Sequence, residues 1–129
     1  MKRHYMLAAA LLLAVPTSAT SAMVPGSVTV LGWFSDEGCA RSKLQGDEEI
    51  TPNGTACVKK CLDDGATPVF VDPKARAMYA VKNYPAVKED VGYYLELTGM
   101  IDEQAKTITV HAVKRLGDVI QMCGRKPKK

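Results

Sequence analysis

Short apolar runs recur along the chain, separated by turn residues, and most of them carry a two-residue period. VTVLGWF at 28–34 is rich in β-branched and aromatic residues. PVFVD at 68–72 ends at the turn dipeptide Asp72-Pro73, and AMYAVK at 77–82 follows closely, so 68–82 predicts a hairpin. VGYYLELTGMID at 91–102 places Tyr93, Leu95 and Leu97 on one face and Tyr94, Glu96 and Thr98 on the other. Gly99 interrupts that run and predicts a bulge or sharp bend. KTITVHAV at 106–113 turns Ile108, Val110 and Ala112 inward and Thr107, Thr109 and His111 outward, after a tight loop from Asp102 to Lys106.

Two segments have a helical pattern. TACVKKCLDD at 55–64 starts beside the capping residues Asn53 and Thr55 and stops at Gly65. PAVKEDV at 85–91 predicts one or two turns, with Pro85 in a permitted first-turn position. Residues 40–53 are polar and contain glycine, and read as a loop. The predicted fold is therefore mainly β: a five-stranded OB-like small barrel, with one helix between the first and second strands and a short helix between the third and fourth. Closure would also remove the exposed edges that five short strands leave. An open β-sandwich fragment is the alternative.

The first 22 residues change the picture of where this domain works. Lys2, Arg3 and His4 precede an apolar run from Met6 to Val15, then Pro16 and the small residues Thr17 to Ala22. That is the layout of a cleavable secretory signal, with a run too short to span a bilayer. Cleavage after Ala22 fits, and cleavage after Ala19 fits nearly as well. The reading divides the chain into a signal peptide at 1–22, a β-barrel domain at 23–116 and a basic tail at 117–129, and predicts a periplasmic or secreted protein without a transmembrane segment after cleavage.

Charge excludes one class of partner. Lys and Arg total 17 against 14 acidic residues, but four of the basic ones lie in the closing RKPKK. The body is slightly acidic, so it lacks the basic face that nucleic acid requires. Catalysis finds no candidate set either. His111 is the one histidine after the signal, and the adjacent pairs Asp36-Glu37 and Asp63-Asp64 suit solvated or capping carboxylates better than an acid–base couple. Asn53-Gly54-Thr55 matches a glycosylation acceptor pattern but reads as a turn.

Four cysteines remain: Cys39, Cys57, Cys61 and Cys123. In an exported chain this number predicts two disulfides. Cys57 and Cys61 are four apart on one helix, with Cβ atoms about 5–6 Å apart, too far to bond each other. One is then tied to Cys39 and the other to Cys123, in an order the sequence leaves open. The helix would dock through a stripe of Cys57, Val58, Cys61 and Leu62. The competing reading makes Cys39, Cys57 and Cys61 three ligands of a metal, or a redox group. A redox pair normally has two residues between its cysteines rather than three.

Taken together, GWFSDEGCA at 32–40, CVKKC at 57–61, DGATPVFVD at 64–72, ELTGMID at 96–102 and TITVHAV at 107–113 resemble small exported bacterial proteins of unknown function with an OB-like fold. The resemblance runs from about residue 28 to residue 113. It implies the fold and the exported address and no activity. Such proteins often carry Cys-Gly followed by a histidine, where this chain has Cys39-Ala40-Arg41-Ser42-Lys43; Cys123 and the basic tail are further departures. Both favour disulfides over a metal site.

The resulting expectation is a non-catalytic, monomeric binding or envelope-associated module with no cofactor, whose partner is a small molecule or an envelope protein. In small barrels the second and third strands and nearby loops carry the binding face. That nominates Phe70, Met78 and Tyr79, flanked by Trp33 and Tyr84, although each of these also suits a core.

Overall fold

The structure, a computed structural model, describes residues 26–119. The signal-like segment, Cys123 and the RKPKK end lie outside the described residues. Five strands carry the fold: β1 (Val28–Asp36), β2 (Pro68–Asp72), β3 (Ala77–Val81), β4 (Tyr93–Asp102) and β5 (Thr107–Val119). They hydrogen-bond in the order β1-β2-β3-β5-β4, and β1 also pairs with β4, so the sheet closes on itself. All neighbours are antiparallel except β3 and β5, which meet in parallel at Ala80↔Thr107 and Val81↔Ile108.

Closure rests on β1 serving two partners. From Val28 to Gly32 it pairs with β4, and from Trp33 to Asp36 with β2. Gly32 sits at the changeover. A Cβ there would lie 1.8 Å from the Val71 carbonyl oxygen, so only glycine lets the two backbones approach this closely.

The period of two divides the apolar side chains between two sides of the sheet. Inside, Phe34, Phe70, Tyr79, Val81, Leu95, Leu97, Ile108 and Val110 join Val58, Val87 and Val91 in one cluster. Phe34 and Phe70 meet edge to face with centroids 5.6 Å apart. Leu95 and Leu97 are fully enclosed, and burial of each contributes roughly 1.5–3 kcal/mol. Outside, the alternate residues Trp33, Val69 and Val71 pack with Ala40 and Ile50 into a second, smaller cluster.

The two hairpins share one turn design. Asp72 accepts a hydrogen bond from the Ala75 amide, and Asp102 accepts from the Gln104 and Ala105 amides. In each turn the fourth residue after the aspartate, Arg76 or Lys106, adopts a positive φ. The aspartate holds the turn while that residue reverses the chain.

Three expectations need correction. The polar stretch after β1 is not all loop: a helix, α1 (Glu37–Leu44), occupies its first part. The connection between β1 and β2 thus holds two helices, α1 and α2 (Thr55–Asp63). Asp36 makes the difference, its side chain accepting from the Cys39 amide and capping α1. Second, α2 is capped by Gly54 rather than by a side chain; it ends at Asp63, and Gly65 with φ +97° turns the chain just beyond, as its sequence implies. Only Val58 is buried along α2; Cys61 and Leu62 are half-buried and Cys57 is exposed, so Cys57 leaves the docking stripe. Third, β4 and β5 slip register opposite Gly99, with Thr98 facing Ala112 and Gly99 facing Val110. His111 is the extra residue. It reverses the alternation, so Ala112 is exposed and Val113 takes the inward side. The segment between β3 and β4 forms two short 3-10 turns, Tyr84–Ala86 and Lys88–Asp90.

The close approach at Gly32 yields a direct test. Gly32→Ala must push β1 off Val71, and is expected to lower stability by about 1–3 kcal/mol, read as a reduced urea midpoint. An unchanged midpoint would contradict the close passage of β1 and β2.

Candidate functional site

Among the described residues, β1 supplies side chains to two places that combine chemistry with shape. The first is the junction between β1 and α1. Asp36 is 3% exposed. One carboxylate oxygen accepts from the Cys39 amide at 3.0 Å, while Oδ1 is enclosed with no hydrogen-bond partner. A carboxylate oxygen of Asp36 and the sulfurs of Cys39 and Cys61 all lie within 4.8 Å of one another. Helix α1 brings Cys39 one turn past its own cap, and α2 brings Cys61 from the other side. Both cysteines are free thiols and half-buried. Burial, then the neighbouring Asp36, pushes the Cys39 thiol from 9.0 up to about 11.

The second is a groove of about 710 Å3. Leu31, Gly32 and Trp33 of β1 and Tyr94 and Leu95 of β4 form its floor, with Leu116 of β5 beside them. Glu49, Ile50 and Thr51 from the loop after α1, and Pro73, Lys74 and Arg76 from the β2–β3 turn, form its walls. Trp33 and Tyr94 stand edge to face, centroids 6.0 Å apart. Leu31, Tyr94 and Leu116 are unusually open for large apolar side chains, at 57%, 44% and 47% exposed. Arg76 ties the loop wall down by donating to the carbonyl oxygens of Gly46 and Glu48.

Of the residues nominated from sequence for binding, Trp33 lines this groove. Met78 packs half-buried against the outer cluster that contains Trp33. Phe70 is fully enclosed in the inner cluster. Tyr79 is buried there too, with its hydroxyl donating to Glu103 at 3.0 Å. Tyr84 borders a separate hollow of about 200 Å3 with Lys59, Asp63, Lys88 and Glu89. The groove residues Leu31, Tyr94 and Leu116 are not among those nominated from sequence, because an exposed apolar position on an alternating strand looks like any other surface residue. Of the cysteines, the structure brings Cys39 and Cys61 together; Cys57 faces solvent one turn earlier on α2. Asp36 joins the pair instead, a role that its capping pattern three residues before Cys39 could have signalled. His111 lies on the exposed outer side, sharing a hydrogen bond with Ser27.

Comparison with known proteins finds no matching family model, no matching curated protein and no matching solved structure. Among the described residues, no helix is long and apolar enough to cross a membrane.

Two predictions follow from buried polar groups near these sites. Ser35 is fully buried and its hydroxyl has no partner. Ser35→Ala removes an uncompensated group, so thermal unfolding should show stability unchanged or raised by up to about 1 kcal/mol. Tyr79 carries a pH signature. Burial, then the Glu103 hydrogen bond, raises its hydroxyl from 10.0 to about 12. The fold therefore favours the neutral phenol; that contribution is complete below pH 10 and is lost as pH rises towards about 12. Urea midpoints should fall across that window, and fall less steeply in Tyr79→Phe. Equal slopes would contradict the assignment.

Proposed function

We propose that this chain is an exported, non-catalytic binding module built on an OB-like barrel, and that its ligand lies in the groove across β1, β4 and the β2–β3 turn. The groove carries the reading. Its size is that of a small-molecule site, its lining is largely apolar and aromatic, and few polar groups converge on it. The fixed Trp33–Tyr94 pair offers a ring-binding edge, and Leu31 and Leu116 extend the apolar surface. Lys74 and Arg76 against Glu49 leave one positive charge in excess on the walls. The ligand class that matches is an elongated apolar or aromatic molecule bearing one anionic group.

The strand order supports the OB-like assignment, as does the position of the groove beside the β1 changeover. The signal-like N-terminus supports export. Because Cys39 and Cys61 are free thiols that share a cluster with Asp36, stapling falls to Cys57 and Cys123 in this reading.

Anilinonaphthalene sulfonate, an aromatic anion, is a suitable first probe, and Trp33 is the chain's sole tryptophan. The folded protein should bind one probe saturably, with energy transfer from Trp33. Leu31→Ser and Leu116→Ser should each weaken binding at least about tenfold, since each removes roughly 1.5 kcal/mol or more of apolar contact. Both side chains are substantially exposed, so stability should change little. Absence of saturable binding to the natively folded chain, or equal affinity in both variants, would refute the groove as the site.

A further inference from the structure

Strand β1 ends in an arrangement that protein groups alone leave incomplete. Asp36 is nine-tenths buried and more; its Oδ2 accepts from the Cys39 amide, and its Oδ1 has no hydrogen-bond partner. One amide bond compensates a buried carboxylate only in part, so such a group is further paired, protonated or bound to a cation. Asp36 takes part in none of the ion pairs among the described residues. What surrounds it is two thiols, from two different helices.

We propose that Asp36, Cys39 and Cys61 form a site for a thiophilic divalent cation of the zinc class, with the fourth position open to water. In a tetrahedral site with metal–sulfur bonds near 2.3 Å, the two sulfurs stand roughly 3.8 Å apart. The three candidate atoms already lie within 4.8 Å of one another, so a shift of about 1 Å or less closes them around an ion. Binding displaces two thiol protons to solvent, and the carboxylate and two thiolates then share the cation's charge. The donor set of sulfur and oxygen suits zinc rather than calcium or magnesium, which take oxygen ligands alone.

A Cys39–Cys61 disulfide is the competing use of the same sulfurs. It would leave the buried Asp36 carboxylate with one oxygen unpartnered, whereas a cation engages the carboxylate and both sulfurs together. The site also locks α1 to α2, so binding would fasten both helices of the β1–β2 connection to the end of β1. It stands independently of the groove.

The test uses the full chain, reduced and stripped of metal, titrated with cobalt(II) as a spectroscopic stand-in for zinc. One cobalt per chain should bind, with a thiolate-to-metal charge-transfer band that zinc then bleaches. Asp36→Asn retains an α1 cap, because asparagine caps as well as aspartate. It should nonetheless weaken cobalt binding beyond the roughly 10–100-fold that loss of a merely supporting residue costs. Cys61→Ser should remove about half of the charge-transfer intensity, since one of two thiolates is lost. The Cys57→Ser/Cys123→Ser double variant should keep the band. Circular dichroism of each variant checks the fold. No charge-transfer band in the folded reduced chain, Asp36→Asn affinity equal to the parent's, or a Cys39–Cys61 disulfide mapped in the exported protein would each overturn the proposal.

Discussion

The double pairing of β1 is the constraint on which the rest of the molecule depends. One strand spends its first half on β4 and its second half on β2, and the exchange takes place at a glycine with no room for a side chain. Without it the five strands would be an open sheet with two bare edges. With it, residues on either side of Gly32 acquire their roles. Leu31 and Trp33 flank the changeover and line the groove; Phe34 enters the inner core; Asp36, at the end of the strand, caps α1 and meets the two thiols.

The helices complete this arrangement rather than create it. Helix α1 lays Ala40 on the outer cluster with Trp33, Val69 and Val71, and α2 sends Val58 into the inner cluster beside Phe34. Each therefore holds one side of β1. Each also carries one cysteine to Asp36, so the same packing that covers the sheet sets the distance between the sulfurs. The groove is separated from this cluster along the strand, and its walls come from loops and turns. Its floor is fixed by the sheet, and its entrance by Arg76 holding the loop after α1.

Much of the β framework was legible because it obeys the simplest period. All five strand cores, both hairpin turns and the irregularity at Gly99 follow from alternation and from aspartate-led turns. The failures have specific causes. Helix α1 buries only Ala40, so EGCARSKL shows no apolar stripe; its evidence lay in Asp36 as a cap, Glu37 in the first turn and basic residues in the last. Ala112 faces out rather than in because a bulge that consumes His111 shifts every later side chain to the opposite face, and one strand's sequence does not reveal which partner carries the extra residue. The cluster escaped because it joins residues from a strand end and two helices, and geometry chose Asp36 over Cys57. The groove was half visible: Trp33 could be named, while Leu31, Tyr94 and Leu116 become a surface only when three strands lie side by side.

Closure is tested most directly at its thinnest seam, the parallel contact between β3 and β5. There the Ala80 amide donates to the Lys106 carbonyl at 2.8 Å and the Lys82 amide to the Ile108 carbonyl at 3.0 Å. Native-state hydrogen exchange of these two amides reads the seam itself. In a closed sheet they exchange only through global unfolding, with the same opening free energy and denaturant dependence as the Leu95 and Leu97 amides in the core. Exchange of Ala80 and Lys82 through a low-energy local opening, while Leu95 and Leu97 stay protected, would show that the sheet is open at this seam and would contradict the closed sheet that the double pairing of β1 completes.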